Sequence, residues 1–131
     1  VSTTETGARS DFERWLVDEY AQSGAFTALI VLVRITETEV KLLCSSFVNV
    51  IGAEASWGEI VALLNGAGHQ WDGAAFFPRR DACSDPLNNV AARLALRELE
   101  AHIETDRLAL NEGHFFDAWG RRMKVEEIMI H

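Results

Sequence analysis

The chain has 131 residues, 48% hydrophobic and 24% charged, with 20 acidic against 12 basic side chains and a formal net charge of −8. That length favours one domain with a single core, and the composition is that of an ordinary globular protein rather than a disordered one. The acidic balance opposes binding to nucleic acid or anionic membrane, where clustered Lys and Arg must neutralise phosphates.

The longest apolar run, "AFTALIVLV" (25–33), falls well short of the ~20 residues that cross a bilayer. The opening "VSTTETGARSDFE" lacks a charged-then-apolar pattern, so no signal peptide is expected and the cytoplasm is the expected location. Cys44 and Cys83 have no metal-ligand or CxxC spacing and read as reduced thiols. Neither a metal nor a cofactor is called for.

Residues 1–9 are small and polar and read as a frayed tail, leaving 10–131 as one domain. "SDFE" (10–13) is a capping box, with Phe12, Trp15, Leu16 and Tyr20 following at helical spacing until "SGA". "FTALIVLVRI" (26–35) is apolar at both alternating sets of positions, which predicts a strand covered on both faces. A polar "TETE" then leads into a second strand, "VKLLCSSFVNV" (40–50), and so short a link predicts an antiparallel hairpin. Strict alternation would put Val40, Leu42, Cys44 and Val48 on one face and Lys41, Leu43, Ser45 and Phe47 on the other.

"SWGE" (56–59) is a second capping box, opening a helix with Trp57, Ile60, Val61 and Leu64 in phase and "NGAG" as its stop. "HQWDGAAFFP" (69–78) reads as a third strand. The polar loop "RRDACSDP" (79–86) leads into a long helix with Asp85 as N-cap and Pro86 at its first position. That helix is expected to run to about Leu110. Ala92, Ala95, Leu96, Leu99, Ile103 and Leu110 form its main stripe, with Asp106 on that same face. Val90, Leu94, Ala101 and Leu108 form a thinner stripe opposite, and a helix apolar on two flanks predicts cover on both. The tail holds an aromatic knot, "HFFDAWG" (114–120), then "RRMKVEEIMIH", which suits a closing strand or a helix equally. The order α-β-β-α-β-α-β predicts an α+β fold, a two-layer sandwich of helices on a mostly antiparallel sheet of three or four strands.

Several constellations could carry chemistry. Glu98, His102 and Asp106 are i, i+4 neighbours, so Asp106 could orient His102 as a general base. The competing explanation is that the helix ends near "ETD" and the carboxylate reaches water, since buried acids are rare unless paired. His114 and Asp117 could anchor a ligand against Phe115, Phe116 and Trp119, although such aromatics more often plug the end of a small core. Arg79 and Arg80, before a helix N-terminus, could hold an anion, but Asp85 competes for that end. "HQWD" (69–72) pairs His69 with Asp72 only if no strand separates their faces.

The sequence thus favours a small module that works by association, as a homodimer or with another protein partner, through Val90, Leu94, Ala101 and Leu108, and a hairpin edge could also pair across a twofold axis. The alternative is a small-ligand-binding protein or enzyme built on His102 and Asp106.

Overall fold

A computed structural model describes residues 10–126. Helix α1 (Asp11–Ser23) leads into β1 (Phe26–Ile35) and β2 (Val40–Val50), then α2 (Trp57–Asn65) and β3 (Gly73–Arg79). Helix α3 (Asn89–Thr105), a 3-10 segment (Arg107–Glu112) and β4 (His114–Asp117) complete the order. The four strands form one sheet in the order β2-β1-β3-β4, with every neighbouring pair antiparallel. The α+β class and the antiparallel sheet are as the sequence predicts.

The helices divide between the sheet's faces, which adds a layer to the expected two. Phe12, Trp15 and Leu16 of α1, with Trp57 and Leu64 of α2, pack on Ala28, Ile30, Leu32, Ala74, Phe76 and Phe116. On the other face Leu99 and Ile103 of α3, with Ala109 and Leu110, pack on Leu29, Val31, Val33, Ala75, Phe77 and Phe115. This is why β1 is apolar throughout: Phe26 to Val33 are all buried, even positions under one helical layer and odd positions under the other.

Phe12 is the hub of the first core. Its ring centroid lies 4.9 Å from Trp57, 5.0 Å from Phe76 and 5.4 Å from Phe116. Both capping boxes form as read, at Ser10/Glu13 and Ser56/Glu59. Glu13 does double duty, its second oxygen accepting from the Trp57 amide at 2.6 Å and so tying α1 to the start of α2. Gly120 closes this corner at φ 80°, where a Cβ would meet the Trp57 ring at 2.9 Å.

Four expectations are corrected. First, β3 begins at Gly73 rather than at residue 69, because Asp72 turns its carboxylate onto the Ile35 amide at 2.7 Å while Trp71 is buried and bonded to Asn65. Secondly, a bulge between Leu32/Val33 and their partners breaks the alternation of β2. Val33 pairs with Leu42 and Leu32 with Cys44, so Val40, Leu42 and Phe47 join the α3 side while Cys44 and Val48 join the other.

Thirdly, α3 is shorter at both ends. Leu87 is held by its amide to the buried Thr27 hydroxyl at 2.8 Å, and the cap is Asn88, whose side chain accepts from the Ala91 amide, rather than Asp85. At the far end Asp106 is extended (φ −151°, ψ 102°), and the chain restarts as the 3-10 segment that buries Ala109 and Leu110. Fourthly, part of the aromatic knot becomes β4. Residues 121–123 run back along it without forming a named strand: Asp117 donates its amide to Arg121, Met123 to Phe115, and Phe116 bridges Arg122. Of the expected closing element, residues 127–131 lie outside the described residues.

Candidate functional site

The expected His102–Asp106 pair is replaced by two separate arrangements. His102 Nε2 lies 3.2 Å from Glu112 Oε2, with both side chains about half exposed. Asp106 Oδ1 instead accepts from the Leu108 amide at 3.0 Å, so the acid on the apolar stripe caps the turn that follows the helix. It faces solvent because the helix has already ended.

The two arginines of the polar loop diverge. Arg80 is spent on the fold: it pairs with Glu19 at 2.8 Å, donates to the Gly24 and Ala25 carbonyls, and lies 5.0 Å over Phe26. Arg79 is exposed and donates to its neighbour Pro78, near the ring of Phe77 on the opposite face. Asp81 organises the rest of the loop, its Oδ1 accepting from the Cys83 and Asp85 amides. Exposed His69 and Asp72 are likewise separate, Asp72 being used by Ile35.

His114 stacks on Trp15 at 4.6 Å and meets Arg122 Nη1 at 3.3 Å. Burial holds the imidazole below its ordinary value of 6.5, and the Arg122 guanidinium adds to that while Glu19 opposes it. Asp117 accepts from the Trp119 and Arg121 amides and from Arg121 Nε. Phe115 and Phe116 enter opposite cores, as neighbours on a strand must, and Trp119 is 70% exposed beneath Arg121.

These groups do not gather in one hollow. A hollow of about 670 Å³ lies between the β1–β2 turn, the end of α3 and residues 123–126, and it takes only Phe115 from the expected ligand set. Among the described residues there is no group of three or more His, Cys, Asp or Glu able to hold a metal, and no helix long and apolar enough to cross a membrane.

The remaining candidates do form a surface. Val90 is 79% exposed, Leu94 56% and Leu108 37%, and Ala101 is also exposed. Among the described residues these side chains are therefore uncovered; Val90, Leu94 and Ala101 share one flank of α3, and Leu108 lies in the 3-10 segment beyond it. That flank runs beside the outer edge of β2: Arg97, Ala101 and Glu104 line a groove of about 470 Å³ whose other wall is Leu42, Leu43, Cys44 and Ser45. Ser45 Oγ hydrogen-bonds Glu100, and Arg107 donates to the carbonyl of Val40 at 2.7 Å, which fixes α3 along the strand. On the other face of the sheet, Cys44, Ser46 and Val48 with Leu63 and Leu64 line a smaller hollow of about 240 Å³.

The two sheet edges are treated differently. The β4 edge is covered by residues 121–125, pinned by Asn111, whose side chain donates to and accepts from the Val125 backbone at 2.7 Å each. The 11-residue β2 pairs with β1 alone among the described strands. Lys41 is its only charged residue. Long edges with so little charge readily add a further strand. Sequence reasoning found the helical stripe through its period and allowed that an edge of the hairpin could pair; that β2 is that edge and lies beside the stripe is not written in alternation. Comparisons with protein-family models, curated proteins and solved structures found no match for the chain.

Proposed function

We propose that this protein is an association module whose working surface is the open edge of β2 together with the outer flank of α3. One observation carries the reading: among the described residues the β4 edge is covered, while the longer β2 edge stays open beside exposed Leu94 and Ala101. An open edge offers backbone donors and acceptors to an incoming chain, and the adjacent apolar side chains supply area that gains from leaving water. The enzyme reading loses its motivating pair, since His102 and Asp106 are each engaged elsewhere.

A photo-crosslinking side chain placed at Leu94 in the cell tests this directly. Adducts are expected from position 94 and not from exposed Ala62 on α2. Absence of adducts at position 94, or equal yields at both positions, overturns the reading.

A further inference from the structure

We infer that the partner seated on this surface is a second copy of the chain, related by a twofold axis normal to the sheet and passing midway between the two copies of Ser45. This rests on the association reading and specifies its occupant.

The argument begins with the strand. A twofold axis normal to a sheet returns each face to itself, and directly opposed residues of an antiparallel pair share a face. At the centre, therefore, one residue must face its own mate. The middle of β2 is Cys44-Ser45-Ser46, small side chains without charge that let two edges approach. With the two copies of Ser45 facing each other across the axis, Cys44 of one copy lies opposite Ser46 of the other. The bulge at Leu42 and Leu43 confines regular pairing to this central part, so the helices must supply much of the remaining contact.

Helix α3 is placed to do so. The Ser45–Glu100 hydrogen bond sets Glu100 level with Ser45, and Arg107 reaches Val40, so α3 runs antiparallel to β2. It rests across β1 and β2 rather than beyond the edge. Strands lie ~4.8 Å apart, so a mate across the edge would bring the two helices to roughly 8–10 Å, the ordinary distance for packed helices.

The same axis then pairs the side chains of the exposed stripe. Arg97 and Glu104 are equally spaced about the level of residues 100 and 101, so Arg97 of each copy meets Glu104 of the other. Ala101, small and exposed, occupies the crossing. Leu94, 56% exposed, lies on the same flank of α3 as Arg97, Ala101 and Glu104 and falls within the same contact. Neither Arg97 nor Glu104 has an ion-pair partner within the described residues. A stripe carrying one cation and one anion about a small central residue is complementary to itself when reversed. That reversal is what a twofold imposes.

Sedimentation of the full chain at micromolar concentrations, with charge reversals, tests this. Wild type should sediment as a dimer. R97E and E104R should each weaken dimerisation by about tenfold or more, because each places like charges opposite one another. The double variant R97E/E104R should recover most of the loss, since the pair is restored with its signs exchanged. Both positions are exposed, and circular dichroism of each variant verifies the fold. A monomeric wild type, or a double variant no better than the singles, overturns the inference. If a monomeric wild type still gives position-94 adducts with a different protein, association stands and only the identity of the partner fails. With neither dimer nor adduct, both fall.

Discussion

Asp106 shows how a local pattern can mislead at the scale of one residue. Helical phase puts it among Leu99, Ile103 and Leu110, yet the backbone leaves the helix at that residue, and its side chain serves the next turn. An Asp competes with a helix by bonding nearby amides, and here that competition ends the helix. His114 is the opposite case, a residue whose environment comes largely from distant segments: Trp15 below it and Glu19 nearby, with Arg122, eight residues on, beside it. Its lowered pKa gives a signed prediction. The unfolded chain binds a proton at about the ordinary 6.5, whereas the folded chain resists protonation until lower pH. The contribution to stability is therefore complete above 6.5 and is lost as pH falls through the folded value. Thermal unfolding of His114→Phe, which keeps a ring against Trp15, should lose less stability than wild type between neutral and mildly acid pH. An equal loss would show that His114 does not carry this dependence.

At the scale of elements, the sequence carries the helix starts better than the helix ends. Ser10/Glu13 and Ser56/Glu59 are reciprocal pairs within one turn, and both cap as the spacing predicts. The long helix fails at its start because Asp85 and Asn88 are equally good caps in isolation, and the choice between them falls to Thr27, sixty residues away, which binds the Leu87 amide. The cover on the β4 edge is held by a comparable long-range device, the two bonds between Asn111 and Val125. Asn111→Ala should cost roughly 1–3 kcal/mol by leaving these half-buried backbone groups unpaired. It should also speed amide exchange at Met123 and Val125 while leaving β1 unchanged. Unaltered exchange at those two amides would mean that Asn111 does not hold the segment.

For the whole molecule, the division of helices between two faces buries both apolar sets of β1 and, among the described residues, leaves the β2 edge and the α3 flank open together, apart from separate exposed side chains such as Trp119. That open surface sits at one side of the sheet, where its parts can act together. The two thiols report on it. Cys83 is exposed in the polar loop, whereas Cys44 is half-buried at the centre of β2 and burial pushes its thiol up. Cys83 should therefore be modified first by a thiol reagent, at a rate independent of protein concentration. Cys44 should react more slowly, and more slowly still as concentration rises and the edge is covered. A Cys44 rate that stays constant across the dimerisation range would place the contact elsewhere.

The amino-acid sequence by itself determined the α+β class, the hairpin of β1 and β2, the buried character of β1, the two capping boxes and the apolar stripes of α3, because each depends on neighbours within a few residues along the chain. Only the tertiary structure decided which flank of α3 stays uncovered, that β2 forms the outer edge, that a bulge reverses the facing of Val40 and Leu42, and that Asp106 lies at a break rather than in a site. Those outcomes depend on strand order and on partners such as Thr27–Leu87 and Ser45–Glu100, far apart in the chain and adjacent only once the sheet has formed. Periodicity records how much of a surface is apolar; what covers that surface is settled by the packing of the rest of the molecule.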